Sequence, residues 1–276
     1  MNNKQSAGHL NNAWINIDET DDPEFFVQFL TASRARALEL ARKNPQVAFA
    51  HLGLESGVSV LDCGCGTGDM LAIIARLITP GEAYGGDISQ TMLRTAQRHV
   101  TDETKNLHFE PMDVQALPFP DKRFDRIMAT QLLVHVPNPR LAFHEICRVT
   151  NQNGLVAIAD MDWDTLVLGS SDKELGRRFT HLFSDGIRNG LVVREYTGWF
   201  REEGFTNIQV IPQQMIFDNW TFLKDRILDP SIPHFVRTGT MSSEEANRLV
   251  RDISSRSEQG YFIAASTFYT ITGQRP

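Results

Sequence analysis

Cysteine is scarce. Only Cys63, Cys65 and Cys147 occur in 276 residues. Three thiols at these positions build no disulfide framework and suit a reducing compartment. No apolar run reaches spanning length, so no transmembrane helix is expected. The start, Met1-Asn2-Asn3-Lys4-Gln5-Ser6, leads into polar residues without the apolar segment of a secretion signal. A cytoplasmic location follows as the expectation. Basic charge is short as well: 27 Lys and Arg face 34 Asp and Glu, a net charge of −7. Nucleic-acid binding rewards clustered basic charge, so that partner class is disfavoured, as is a membrane. No His/Cys set at ligand spacing accompanies Cys63 and Cys65, and no metal site is expected.

What is present is an ordinary globular balance, 41% hydrophobic and 22% charged, which argues against long disorder. No internal repeat or low-complexity tract appears. Residues 1–22 are polar, with an acidic cluster at Asp18, Glu19, Asp21 and Asp22. Asp22-Pro23-Glu24 predicts a helix start, a cap followed by proline in the first turn. That helix runs to about Arg42, and a short one covers 45–52. The rhythm then changes. Strands are predicted at 58–61, 83–87, 107–110, 124–129 and 154–159, with helices at 70–78, 89–99 and 139–149 between them. This alternation means βαβ units and a mostly parallel, doubly wound α/β sheet. Beyond 162, helices are expected at 172–188 and 194–203 and strands at 208–217 and 261–271. Residues 219–257 are expected to be helical and peripheral. The two late strands fit an antiparallel edge.

The central feature is Asp62-Cys63-Gly64-Cys65-Gly66-Thr67-Gly68, after a strand and before a helix. Small residues let a ligand approach the backbone, and the helix presents free amides and its positive end. A dinucleotide fingerprint counted from Gly64 and Gly66 needs glycine at 69. Asp69 stands there, where it would repel a pyrophosphate. The ligand is therefore expected to lack one and to carry an amino group. Asp87 ends the second strand and is placed to accept from both hydroxyls of a ribose. Asp113 is placed to accept from an adenine amine, with Ile88 and Val114 on either side of the ring. Asp62 either holds an amine or caps the turn.

On these residues the chain resembles class I S-adenosylmethionine-dependent methyltransferases. Val60 to Gly68 is similar to their first motif. Gly86-Asp87-Ile88-Ser89, Met112-Asp113-Val114-Gln115-Ala116-Leu117-Pro118-Phe119 and Phe124-Asp125 are similar to the later ones, in order and spacing. The likeness covers about residues 55–162 and is nearest to the ubiquinone/menaquinone-biosynthesis group. It implies a Rossmann-like sheet of seven strands with the last antiparallel. It implies S-adenosyl-L-methionine as cofactor and S-adenosyl-L-homocysteine as product. Asp62, Gly64, Cys65, Gly66, Gly68, Asp87, Ile88, Met92, Asp113, Val114, Thr130 and Gln131 are the binding positions it implies. A single domain is expected, with a helical cover over 1–52 and a cofactor core over 53–162. Acceptor-side helices, a sixth strand and an insertion fill 163–258, and the last strand lies in 259–276.

A sulfonium methyl is already activated, so the protein need only align an acceptor and exclude water. Few bases are available. His135, after the fourth strand, is either an orienting group or the base. His181 reads as a helix-surface residue. Asp162 and Asp164 flank Trp163 at the end of the fifth strand, beside the acceptor or as caps for the next helix. Trp14, Phe26 and Trp163 are candidates for the acceptor pocket. The other aromatics of the cover and insertion (Phe25, Phe29, Phe179, Phe183, Tyr196, Trp199, Phe217, Trp220, Phe222 and Phe235) suit a core more than a pocket. Arg34 or Arg36 reaches a cofactor carboxylate or lies on an exposed helix face. The chain lacks the Pro-Cys pair of cytosine-5 methyltransferases, the Asn-Pro-Pro-Tyr segment of amino-group methylation and the further cysteines of arsenite methylation. The expected function is methyl transfer to a small molecule, at an O, N or C atom left open. The alternatives are an adenosylmethionine-binding protein without transfer, cyclase-like or regulatory, and a nicotinamide dehydrogenase, which Asp69 disfavours.

Overall fold

The computed structural model describes residues 12–217 and 220–276. The polar lead over 1–11 lies outside the described residues, as does the Phe222 side chain. Seven strands form one sheet: β1 (Val60–Cys63), β2 (Ala83–Asp87), β3 (Leu107–Pro111), β4 (Phe124–Thr130), β5 (Thr150–Leu168), β6 (Thr206–Phe217) and β7 (Ala264–Gln274). Their order is β3-β2-β1-β4-β5-β7-β6. β1 to β5 are parallel, and β7 runs antiparallel to both β5 and β6. The antiparallel last strand expected from the sequence is therefore present. Strand order reverses at β1 and β4, which opens a crevice at their carboxyl ends.

The helices are α1 (Pro23–Lys43), α2 (Pro45–Ala48), α3 (Asp69–Ile78), α4 (Gln90–Ala96), α5 (Pro139–Val149), α6 (Lys173–Gly186), α7 (Tyr196–Glu202), α8 (Trp220–Leu223), α9 (Asp229–Arg237) and α10 (Ser243–Glu258). A π-helical turn, Lys224–Leu228, joins α8 to α9. The starts follow local chemistry. Asp22 accepts from the Phe25 amide at 3.1 Å and Pro23 opens α1, while Ser89 accepts from the Met92 amide at 3.2 Å at the head of α4.

Alternate strand residues feed opposite layers, as pleating requires. Leu61, Ile127 and Ile158 join Phe143, Phe179, Tyr196 and Phe200 on one face. Val60, Met128 and Ala157 join Leu71, Ile74 and Ile78 of α3 on the other. Both faces are covered, so all four residues of β1 are buried. A third, smaller cluster of Ile17, Phe26, Leu30 and Met92 fixes the N-terminal cover onto α4.

Three expectations change. β1 starts two residues late, because the Ser59 amide is held by the Asp125 carboxylate at 2.9 Å. β5 runs nine residues past the expected end, because β7 supplies a partner through Asp162 and again at Val167 and Leu168, across a bulge. The region over 219–257 is not peripheral: Leu223, Ile227, Leu228, Phe235, Leu249 and Ile253 are buried in the main core.

Candidate functional site

The crevice is built around the turn between β1 and α3. Gly64, Gly66 and Gly68 all lie at positive φ, +70°, +57° and +73°. That region is costly for residues with a Cβ. The Gly64 and Cys65 amides both donate to the Gly86 carbonyl, at 2.7 and 2.9 Å, and pin the turn to β2. A Cβ on Gly68 would come within 2.6 Å of the Phe109 ring, and one on Gly64 within 2.8 Å of Leu132. Backbone sign and internal packing thus demand these glycines before any ligand does. A Cβ on Gly66 would meet Leu30 at 3.0 Å and the Arg34 guanidinium at 3.5 Å. The cover helix α1 therefore lies directly over the turn. Arg34 reaches the site, while Arg36 is exposed.

Two carboxylates face this turn. Asp62 is 4% exposed, and no described residue donates a hydrogen bond to it. Burial raises its pKa to about 7; Arg34 pulls down, and Asp87 adds to the rise. Asp87 accepts from the Gly66 amide through Oδ2 and from the Ser89 amide through Oδ1, both at 2.9 Å. Burial raises its pKa, against the pull of those amides and Arg34. Its two oxygens are oriented by the protein and each retains a lone pair. Asp69 differs. Burial alone would raise it, but His99 and the Thr67 hydroxyl, 2.7 Å from Oδ2, hold it below the usual carboxylate range. A permanent negative charge at the head of α3 supports the exclusion of a pyrophosphate. The Cys63 and Cys65 thiols are buried and pushed up by burial, so neither is a reactive thiolate.

Farther along the crevice, Ile88 is 58% exposed beside Asp87. Asp113 is exposed, and its Oδ1 accepts from the Gln115 amide at 2.8 Å. The Val114 side chain is buried in the main core, so it cannot pair with Ile88 across a ring; only its backbone remains for a ligand. Met92 is also buried, among Ile17, Phe26 and Leu30, where it supports the cover. Thr130 ends β4. Gln131 turns the chain sharply at φ +52°, with its amide on the Ala159 carbonyl at 2.7 Å. Asp125 lies at the opposite end of the strands, bonded to Ser59 and Asn151, and is structural.

Beyond Gln131 the crevice is lined by aromatic rings. The Trp14 indole stacks on His135, with centroids 5.6 Å apart and planes at 27°. It meets Phe26 and Phe29 edge-on at 5.0 and 5.2 Å. Burial, with the Arg188 charge, lowers the His135 pKa to about 3. The ring is therefore neutral at working pH and is a poor proton acceptor. Its loop is clamped. Asn189 donates from its side chain to the Leu133 and Val136 carbonyls at 2.9 and 2.8 Å, and the Leu133 and Val134 amides face the Asp160 carboxyl. Tyr196 donates to Asp160, and burial raises that acid to about 7.

Trp163 packs edge-on against Phe183 at 5.2 Å, and its amide donates to Gly190 at 3.1 Å. Its neighbours are neither free acids nor helix caps. Arg194 binds Asp162 through two nitrogens at 2.8 and 3.0 Å and Asp164 at 3.0 Å, within the strand rather than at its end. His181 is exposed. Phe179, Phe183, Tyr196, Phe217 and Phe235 are core residues.

Some contacts around the site carried no signal in the sequence. Asp18, read only as part of an acidic cluster, accepts from the Gln90 and Thr91 amides at 2.6 and 3.1 Å and from the Ser89 hydroxyl at 2.9 Å. It caps α4 from more than 70 positions away. The bond from Tyr196 to Asp160 is likewise defined only by tertiary contact. Among the described residues, no group of acids, histidines and cysteines is arranged to hold a metal, and no helix is long and apolar enough to cross a membrane.

Residues 54–195 match the family described as methyltransferase domain. The chain is 28% identical over 258 residues to an uncharacterized 37.1 kDa protein in transposon TN4556 of Streptomyces fradiae, covering 92% of this chain and 71% of that one. It is 29% identical over 175 residues to the ubiquinone/menaquinone biosynthesis C-methyltransferase UbiE of Coxiella burnetii, covering 60% and 70%. Among solved structures, YcgJ of Bacillus subtilis superposes with a TM-score of 0.57 at 18% identity, over 87% of this chain and 98% of that one. That likeness shows the fold.

Proposed function

The chain belongs to the methyltransferase-domain family, and from that premise we propose that it moves a methyl group from S-adenosyl-L-methionine to a small-molecule acceptor, releasing S-adenosyl-L-homocysteine. The observation that carries the reading is Asp62. A buried carboxyl beside a positive-φ glycine turn, without a donor among the described residues, suits the ammonium of a methionyl group. Asp87 takes the two ribose hydroxyls on its remaining lone pairs. The backbone of Gly64, Cys65, Gly66 and Gly68 lines the methionyl side. Ile88, Asp113 and the Val114 backbone take the adenine, and Thr130 and Gln131 close the crevice beneath. Met92 acts by holding the cover in place. Arg34 is placed to meet the methionyl carboxylate.

Bound there, the cofactor supplies a methyl group already activated by its sulfonium. The protein's work is placement and exclusion of water, with placement worth up to about 7–11 kcal/mol. Trp14, Phe26 and Trp163 form the acceptor wall, and His135 orients rather than takes a proton. The whole chain works as one domain: cover 1–52, cofactor core 53–162, acceptor side 163–258 and last strand 259–276. Its net charge of −7 favours a small acceptor over nucleic acid, and cytoplasmic action is part of the same reading. The test is an acceptor screen with isotope-labelled methyl donor. Acceptor-dependent S-adenosylhomocysteine with label in a second product is expected. A protein that binds the donor yet labels nothing across a broad small-molecule panel contradicts transfer and favours the binding-only alternative.

A further inference from the structure

Arg226 sits in the π-helical turn between α8 and α9, an irregularity that recurs at functional sites. Its guanidinium carbon lies 4.2 Å from the Phe29 ring centroid and 4.7 Å from that of Phe25. The Phe29 ring in turn meets Trp14, which lies on His135. Arg226 therefore stands one aromatic ring away from the Trp14–His135 stack.

Its Nη1 is buried and has no hydrogen-bond partner among the described residues, and no described carboxylate forms an ion pair with it. The adjacent Asp225 leans on Lys224, at 3.9 Å. A guanidinium nitrogen withdrawn from water without a partner is costly. Among the described residues only the charge of Asp225 acts on it. The acids elsewhere in the crevice are engaged: Asp162 and Asp164 with Arg194, Asp160 with Tyr196, and Asp18 with the head of α4. The two ends of the crevice thus differ in sign. Carboxylates face the glycine turn, and a cation on aromatic faces stands beyond the Trp14–His135 stack.

We propose that Arg226 is the acceptor-recognition residue of this enzyme and that its acceptor joins an acidic group, such as a carboxylate, to an aromatic or apolar body. The proposal rests on the methyl-transfer reading and deepens it by naming a substrate class. Arg is suited to this task because its planar fork binds a carboxylate through two parallel hydrogen bonds while its face rests on the rings.

The test is calorimetric titration of the full chain, saturated with S-adenosylhomocysteine, using matched probes: 4-hydroxybenzoate against 4-hydroxybenzamide and 1-naphthoate against 1-naphthamide. Each acid is expected to bind at least about tenfold tighter than its amide, the step that one hydrogen bond to a charged group supplies. The preference is expected to vanish in Arg226→Met with S-adenosylhomocysteine binding unchanged. Arg226→Gln keeps an amide N–H donor without charge, and it gives the same answer should the methionine variant fail to fold. Equal affinity for acid and amide, failure of every probe to bind, or a preference that survives both substitutions overturns the proposal. Arg226 is then a packing contact between cover and insertion. Failure of wild-type protein to bind S-adenosylhomocysteine is a separate result, and it removes the methyl-transfer reading beneath.

Discussion

Asp62 is the residue whose charge state reports most about the site. With burial raising its pKa to about 7, it is largely protonated at pH 6 and ionised at pH 8. An ammonium-bearing ligand binds the ionised form. Cofactor affinity is therefore expected to fall as pH drops below 7, approaching tenfold per unit. Asp62→Asn is expected to bind more weakly and to lose this dependence between pH 6 and 8. Titration calorimetry at three pH values checks both, and a flat wild-type profile contradicts the role. His135 gives the converse prediction. Its pKa of about 3 leaves the ring neutral across pH 5–9, so no ascending limb in turnover belongs to it. His135→Gln is expected to lower turnover by less than about 100-fold, the bottom of the range for a working base. A loss near 10⁴-fold with cofactor binding intact would restore the base.

At the scale of elements, the contact between the cover and α4 is held by a cap from outside the helix. Asp18 accepts two α4 amides and the Ser89 hydroxyl, directly after the Asp87–Ile88 corner. Asp18→Ala is expected to cost about 1 kcal/mol of stability, the usual value of an N-cap. It also frees the start of α4, so cofactor affinity should fall with it. Chemical denaturation and calorimetry measure the two effects; stability lost without any change in affinity would detach the cover from the site. This element also shows where sequence reading stops. Asp22 and Ser89 each cap over three positions, within reach of a local reading. Asp18 acts across more than 70 positions and reads locally as one acid in a cluster. In the same way, β5 was legible only where its own β-branched run persists. Its continuation through Trp163 depends on β7, over 100 residues later.

Across the whole molecule, function follows from the reversal of strand order at β1 and β4. This reversal brings Asp62, Asp87 and Thr130 to one edge, with α1 laid across them. The turn and its acids were legible because a strand, a glycine run and a helix are consecutive in the chain. The region over 163–258 was not, because its charges are set by long-range pairs. Asp162 and Asp164 read as open carboxylates until Arg194 is seen between them, and Arg226 gains meaning only from the rings beneath it. Val114 shows a limit of the motif reading: its side chain, expected against a ring, belongs to the core.

The most direct test is calorimetry of S-adenosylhomocysteine and of NAD against the wild-type chain and Asp87→Ala. Wild-type protein should bind the former and not the latter. The substitution should weaken binding by at least about 100-fold, since two hydrogen bonds to a charged acceptor contribute about 1.5–3 kcal/mol each. No heat with S-adenosylhomocysteine, preference for NAD, or an unchanged affinity in Asp87→Ala would contradict a sulfonium-nucleoside site at this turn.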